Sequence, residues 1–245
     1  MKKLHWIFWM ICLVMVPALQ SCDDDEHYSL GDFTRPLWAT MRVTGNAFYL
    51  ECDEWGKLWP VNTDLGWYEP TDGQRVIAVF NPIWDNYQGY DHAVKILSLQ
   101  NVLTKSVEVL TTENDAEFGN DPMTILKGQI GISGGYMNLF FIQNLPEKQK
   151  HRISLVRPEL DSDCYGADGY IHLELRYNNY GDVTGIQRQG AVSFNLNSLN
   201  FASDCKGIKL KINSSKNGEV ELTFDRKAEN NVMVDNLNLT ELQLK

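Results

Sequence analysis

Apolar and polar residues alternate with a period of two along most of the chain, and helical spacing of apolar residues is nearly absent. In the first half the alternating runs are rich in Val, Ile, Trp, Tyr and Phe, which is typical of β-strands. They predict five strands, at residues 37–44, 47–52, 57–62, 75–83 and 92–103. Five strands at this spacing, joined by glycine-containing turns, predict a small closed barrel of the OB type.

The alternation stops near residue 110 and starts again after residue 121. The stretch between contains Thr-Thr-Glu-Asn-Asp and Gly-Asn-Asp-Pro, which are loop sequences, so we expect a domain boundary there. Residues 103–110 are compatible with a short helix. Seven further strands are predicted at residues 123–132, 137–143, 151–156, 171–177, 189–195, 208–213 and 219–224. Seven short strands separated by Gly and Asn turns indicate a β-sandwich.

The N-terminus has the pattern of a lipoprotein signal. Lys2 and Lys3 precede an apolar run at residues 6–19, which is too short to span a bilayer comfortably. The run ends in Leu-Gln-Ser-Cys, and this places the lipidated cysteine at Cys22. The alternative is an uncleaved N-terminal anchor. Four carboxylates follow at residues 23–26 and form either a surface-export signal or a plain acidic spacer.

The predicted organisation is therefore all-β, with a barrel followed by a sandwich. Residues 1–21 are the signal peptide and residues 22–36 a lipidated acidic tether. Residues 37–118 are the OB-type barrel, and residues 119–245 are the sandwich with a C-terminal extension. That extension either adds an edge strand at residues 237–244 or hangs loose.

The charge of the chain excludes one class of partner. The net charge is −10, and a mature chain without Lys2 and Lys3 carries about −12. Nucleic acid binds preferentially to a basic protein surface, so we expect this acidic chain not to bind nucleic acid. Contact with a membrane is expected through the acyl anchor at the cell envelope, in the outer membrane and at the cell surface.

A series of short sequences runs through the chain in a characteristic order. They are YSLGDF at 28–33, GKLWPVN at 56–62, GYDHAVK at 89–95, NVLTK at 101–105, ISGGYMNL at 132–139, HRISLV at 151–156, VSFNL at 192–196, and the strands at 170–177 and 207–213. Together they resemble the NigD-like lipoproteins over residues 28–224. The resemblance implies an N-terminal OB-type domain and a C-terminal β-sandwich, with no established activity. The family name comes from a bacteriocin-type gene cluster, so it implies an immunity role by association.

Two motifs resemble known catalytic or metal-binding sequences. Residues 131–135 match G-x-S-x-G around Ser133, but a hydrolase needs that serine between a strand and a helix. Strand pattern continues on both sides, which predicts a glycine-rich hairpin. Residues 161–172 resemble the start of a calcium loop, but Tyr165 and His172 stand at ligand positions, which favours a polar loop. No histidine or cysteine spacing indicates zinc, so no catalytic residue, metal or cofactor is predicted.

Aromatic side chains in the first domain are the most distinctive feature. Those in turn or loop sequence form a predicted ligand or partner face, at Trp55, Trp67, Trp84, Tyr87 and Tyr90. The alternative is that their loops fold over and pack on the barrel. Trp38 and Trp59 lie within strands and are predicted to pack in the core.

The cysteines allow one disulfide. Cys164 and Cys205 both follow an Asp in turn-like sequence, and we predict that they pair in an oxidising compartment. Cys52 lies in an apolar run and is predicted to be a buried thiol.

Three functions remain open at this point. The leading hypothesis is a non-enzymatic envelope lipoprotein that binds a protein or a glycan at the cell surface. The second is a bacteriocin-type immunity lipoprotein. The third, a glycan-related hydrolase, depends on the serine motif.

Overall fold

The computed structural model describes residues 36–62, 65–126, 128–144, 146–159, 167–182, 186–199, 201, 203–226 and 232–233. Within these ranges the chain is almost entirely β-structure, which confirms the predicted fold class. No helix in the described part is both long and apolar enough to cross a membrane. The signal peptide, Cys22, the acidic tether and the expected strand at residues 237–244 lie outside the described residues.

Five strands form a closed barrel in the N-terminal half. They are β1 (Leu37–Thr44), β2 (Ala47–Cys52), β3 (Gly56–Pro60), β4 (Arg75–Tyr87) and β5 (Tyr90–Asn101). Their order around the barrel is β1-β2-β3-β5-β4, and only β3 and β5 pair in parallel. Alternate side chains point inward and fill the interior. Ala39, Met41, Leu50 and Leu58 are among those with no exposed surface, as the period of two requires.

The β4–β5 hairpin is longer than the predicted strands at residues 75–83 and 92–103. Its tip is a two-residue turn at Gln88 and Gly89, both with positive φ, as a type I′ hairpin turn requires. The turn sets Tyr87 directly opposite Tyr90. A bulge between Pro82 and Trp84 shifts the register of β4 against β5. Beyond the bulge, the side chains of β4 therefore face different partners on β5 than regular pairing would give them.

The C-terminal half is a sandwich of two sheets. Its elements are β6 (Leu103–Ser106), β7 (Glu108–Leu110), a single-turn helix α1 (Asp115–Phe118), β8 (Ile130–Ser133), β9 (Tyr136–Asn144), β10 (Arg152–Pro158), β11 (Tyr170–Asn178), β12 (Gln187–Asn195), β13 (Gly207–Ser214), β14 (Gly218–Arg226) and β15 (Val232–Met233). One sheet has the order β15-β14-β13-β11-β10-β7, and the other has β6-β12-β9-β8. Buried residues of both sheets form one core, in which Leu139, Leu155, Phe194 and Phe224 have no exposed surface.

Residues 103–110 are strands and not the expected short helix. β6 pairs in parallel with β12, and β7 pairs in parallel with β10. Both strands therefore belong to the sandwich, and the predicted boundary between residues 118 and 119 falls after its first two strands. The predicted strand at residues 123–132 is also shorter: only Ile130–Ser133 is a strand, preceded by isolated bridges at Met123 and Thr124.

Candidate functional site

The barrel carries a connected group of aromatic rings on four of its strands. We call the group of Tyr49 on β2, Trp59 on β3, Tyr90 on β5, and Trp84 and Tyr87 on β4 the aromatic surface. Trp84 is 56% exposed, and the other four side chains are partly buried. Because the rings stand on hydrogen-bonded strands, their positions are fixed by the sheet.

Ring contacts link the members of the aromatic surface. The Tyr90 centroid lies 4.9 Å from Trp59 and 5.4 Å from Tyr49. Trp84 stacks on Tyr87 at 6.0 Å, with 20° between their planes. Tyr87 is the cross-strand partner of Tyr90, so the hairpin tip joins the two groups. Such aromatic pairs are worth about 0.5–1.5 kcal/mol beyond their buried area, which makes this a preformed surface.

One small residue on β5 explains how two indoles fit on the strands that flank it, β3 and β4. Ala93 on β5 is the register partner of Trp59 on one side and of Trp84 on the other. Partners in register lie on the same face of a sheet, so the three form one row. Ala93 has no exposed surface. Its methyl group leaves room for the large rings beside it.

A row of charged residues borders the aromatic surface. Arg42 is the register partner of Tyr49, and it forms an ion pair of 2.7 Å with Glu51. Glu51 is in register with Lys57, whose backbone N–H donates to Asp91 Oδ2 at 2.7 Å. The row therefore alternates cations and anions alongside the rings.

Three of the five aromatic residues predicted for the face belong to the aromatic surface: Trp84, Tyr87 and Tyr90. Trp55 does not, because it packs against the barrel core, 5.7 Å from Phe80 and 5.1 Å from His92. Trp67 is 63% exposed, but its recorded ring contact is with Tyr68, which in turn contacts Phe48.

Two members of the aromatic surface were not predicted. Trp59 was expected in the core, yet it is outside the barrel core cluster and contacts Tyr90. Tyr49 was missed altogether. A signal existed for both: each neighbours a leucine that the alternation places inside, Leu50 and Leu58, so each must face outward. Trp38 is only partly buried, 5.1 Å from Phe140 of the sandwich.

A buried ion pair within the barrel binds side chains of the sandwich, and together these residues form a junction between the two halves. Both terminal nitrogens of Arg75 bind the Asp53 carboxylate, at 2.8 and 2.6 Å, and the two side chains are 0% and 5% exposed. Arg75 also donates to Thr40 Oγ1 in the barrel and to Asn138 Oδ1 in the sandwich. Its guanidinium lies over the Tyr136 ring at 4.7 Å. Charge-assisted bidentate pairs of this kind fix geometry strongly.

Ser133 of the G-x-S-x-G motif belongs to this junction. It lies in the β8–β9 hairpin, as predicted, and its hydroxyl donates to Asp53 Oδ2 at 2.5 Å. It also accepts a hydrogen bond from Asn138 Nδ2 at 3.0 Å. In the described part of the chain neither recorded partner of Ser133 is a histidine, and the carboxylate it faces is bound by Arg75. The bond to Asp53 ties the β8–β9 hairpin to the barrel, and Ser133 is followed by strand β9 where a hydrolase nucleophile would be followed by a helix.

A small cleft lies beside the junction. It has a volume of about 220 Å³ and is lined by Trp38, Phe140, Ser133, Asn138 and residues 128–132. Ser133 and Asn138 already hydrogen-bond within the junction, so the cleft offers mainly two aromatic walls and backbone. It therefore has little polar capacity left for a ligand.

Within the described ranges, no group of three or more His, Cys, Asp or Glu residues is placed to hold a metal ion. His172 bonds to Asp168, whose pKa is lowered by Lys209 and then by His172 itself. These residues form a surface ion network.

The cysteine predictions have different outcomes. Cys52 is a buried free thiol, and burial raises its pKa. Cys205 is also buried and free in the structure. Cys164 lies outside the described residues, so the pairing of Cys164 with Cys205 stays a prediction.

Two family models match the two halves of this architecture. Residues 38–102 match the NigD-like N-terminal OB domain, and residues 106–226 match the NigD-like C-terminal β-sandwich domain. The chain belongs to the NigD-like family. The two matched regions meet between residues 102 and 106, where the structure passes from the barrel to β6 of the sandwich. No curated protein matches the chain.

Solved structures of similar proteins agree with the NigD-like fold. A protein of unknown function from Bacteroides vulgatus is 29% identical, with a TM-score of 0.70, covering 85% of this chain and 99% of that one. A protein from Parabacteroides distasonis described as toxin-related is 30% identical, with a TM-score of 0.64, covering 78% and 93%. A NigD-like immunity protein from Bacteroides caccae is 17% identical, with a TM-score of 0.57, covering 80% and 93%, and shows likeness of fold alone.

Proposed function

We propose that this NigD-like protein is a non-enzymatic lipoprotein of the cell envelope that binds a ligand through the aromatic surface of its barrel. The observation that carries the proposal is the set of five rings on four neighbouring strands, in two contacting groups that meet at the β4–β5 hairpin tip, with Trp84 56% exposed. OB-type barrels use the face of strands 2 and 3 and the loop between strands 4 and 5 for binding. Tyr49, Trp59 and the tip of the β4–β5 hairpin occupy these places.

The arrangement around Ser133 supports a non-enzymatic role. Its hydroxyl donates a hydrogen bond to Asp53 and accepts one from Asn138, and the side chain is partly buried. Arg75 binds both oxygens of the Asp53 carboxylate, and Ser133 donates a hydrogen bond to the same carboxylate. The Asp53 carboxylate therefore serves to join the barrel to the sandwich. The hydrolase alternative would need a serine exposed on a strand-to-helix turn.

The envelope location follows from the N-terminal sequence. A short apolar run that ends at Cys22 supports acylation there and attachment to the outer membrane. The acidic residues after Cys22 support a position on the cell surface, where the barrel would meet extracellular ligands.

A comparison of two exposed tryptophans tests the proposal. The labelled mature chain from residue 23 is added to envelope fractions and to secreted material of the bacterium that produces it. Trp84→Ala should weaken binding about fivefold or more, because one aromatic contact is worth about 1 kcal/mol. Trp67→Ala removes a similarly exposed indole outside the aromatic surface, so it should bind like the wild type.

The control on folding is the melting temperature of each variant. Trp84 is largely exposed, so its replacement should leave the melting temperature nearly unchanged. Equal binding by the wild type and Trp84→Ala, or no saturable binding at all, would contradict the proposal.

Immunity to a secreted toxin is the second candidate function. It is favoured by the description of a 30%-identical relative as toxin-related and by the immunity protein that shares the fold. In that case the partner is a protein. Co-purification of one secreted polypeptide with the wild type, and protection of sensitive cells by expression of this chain, would support it.

A further inference from the structure

We infer that the ligand of the aromatic surface is a neutral carbohydrate chain, an inference that rests on the proposed binding function. The aromatic rings and the bordering row of mixed charges form one continuous recognition surface. Three features of that surface point to this ligand chemistry: the orientation of the rings, the polar groups beside them, and the balance of charge.

The first feature is the orientation of the rings. The planes of Trp84 and Tyr87 differ by 20°, and those of Trp59 and Tyr90 by 39°. The C–H faces of a sugar ring are apolar and pack on the faces of aromatic rings, while the hydroxyl groups point outward. Rings held on strands have little side-chain freedom left to lose when such a ligand binds.

The second feature is the row of polar partners along the rings. Arg42 and Glu51 are both about one-third exposed, at 36% each, and Lys57 and Asp91 follow on the next strands. A sugar hydroxyl both donates and accepts a hydrogen bond. A row that alternates donors with acceptors satisfies hydroxyls along a chain, and hydrogen bonds to charged groups are the stronger ones.

The third feature is the sign of the charge. The row holds two cations and two anions, so it has no net preference for a charged ligand. The whole chain has a net charge of −10, which repels polyanions such as sulfated or uronic polymers. A neutral chain avoids this repulsion and still uses every polar partner.

Defined polysaccharides test the inference directly. Mannan, dextran, galactan and xylan serve as neutral probes and dextran sulfate as a polyanion, with binding measured by affinity electrophoresis and by tryptophan fluorescence. The wild type should bind at least one neutral chain. Trp84→Ala and Glu51→Gln should each weaken that binding about fivefold. Trp67→Ala should bind normally, and dextran sulfate should bind no variant.

A second measurement separates failure of this inference from failure of the proposed function. Envelope and secreted material is treated with periodate, which cleaves vicinal diols, or with protease, before the labelled protein is added. Loss of Trp84-dependent binding after periodate alone supports a carbohydrate. Loss after protease alone overturns the carbohydrate and leaves the binding function standing.

Two further outcomes are decisive. Binding that is independent of Trp84 overturns both the carbohydrate and the proposed function. If the wild type binds none of the neutral chains and periodate has no effect, the carbohydrate inference is overturned.

Discussion

The buried Arg75–Asp53 ion pair, which the barrel contributes to its junction with the sandwich, makes a strong prediction for Arg75→Met. Methionine fills much of the space of the arginine stem but leaves the Asp53 carboxylate, 5% exposed, without its partner. Breaking a buried pair on one side costs about 3–5 kcal/mol, since a charge is left buried and unpaired. A domain is stable by only about 5–15 kcal/mol, so this loss would bring the protein close to unfolding.

An exposed ion pair on the same barrel provides the control. Arg42 pairs with Glu51 at 2.7 Å, but each side chain is 36% exposed. Arg42→Met should therefore cost no more than about 1 kcal/mol. The double variant Arg75→Met with Asp53→Leu removes both charges and should recover much of the loss, because two apolar residues can replace a buried pair.

Urea denaturation with two probes measures the effect. All five tryptophans outside the predicted signal peptide lie between residues 38 and 84, so fluorescence reports on the barrel and, through Trp38 beside Phe140, on its contact with the sandwich. Circular dichroism reports on both halves. In Arg75→Met the two transitions should separate, because the junction no longer couples barrel and sandwich. If Arg75→Met and Arg42→Met cost the same, or the double variant is less stable than Arg75→Met alone, the reasoning is refuted.

Three other predictions follow from single positions. Trp55→Ala should lower stability by about 2–3 kcal/mol because the ring packs against the barrel core, while Trp67→Ala should stay within about 0.5 kcal/mol; equal melting temperatures would contradict this. Gly134→Ala should cost more than about 1 kcal/mol in urea denaturation, because φ is 58° and a Cβ would clash with the Asp53 carboxylate; a neutral result would count against that geometry. Cys22→Ser should abolish incorporation of labelled fatty acid, and wild-type labelling would remove the lipoprotein assignment.

The barrel strands were predictable because their local pattern is strong. The predicted bounds of β1 and β2 coincide with the structure, since clean alternation flanks a Gly-Asn turn in the first hairpin. The family resemblance, carried by short sequences along the chain, is confirmed by the two matched family models.

β6 and β7 were not predictable from local sequence. Each is short and mixes charged with apolar residues, and each owes its strand conformation to a parallel partner far along the chain. Parallel pairing leaves no hairpin turn to mark it. The strand conformation of β6 and β7 is therefore decided by tertiary contacts, which a local sequence pattern does not contain.

The aromatic surface was predictable only in part. A tryptophan in a turn, such as Trp55, was expected outside but closes one part of the barrel core. A tryptophan within a strand, such as Trp59, was expected inside but faces the neighbouring Tyr90. Strand parity would have placed Trp59 correctly, whereas the position of Trp55 depends on how the turn folds.

Nothing in the local sequence predicts the junction around Arg75. Arg75 begins an apolar strand and would ordinarily be assigned to the surface, as most arginines are. Its partners come from distant positions, Asp53 in a turn of the barrel and Asn138 on β9. Only the closed fold brings them together.

β6 and β7 each pair in parallel with a strand that comes much later in the chain, and this affects the order in which the molecule folds. All five barrel strands pair among residues 37–101, so the barrel has its complete set of partners as soon as that length of chain is free. β7 and β6 must wait for β10 and β12. A nascent chain that stops before β12 would therefore carry a finished barrel followed by unpaired strand edges, which are templates for association with other chains. The vulnerable interval lasts beyond the arrival of β12, because β11 keeps an unpaired edge until β13 pairs with it.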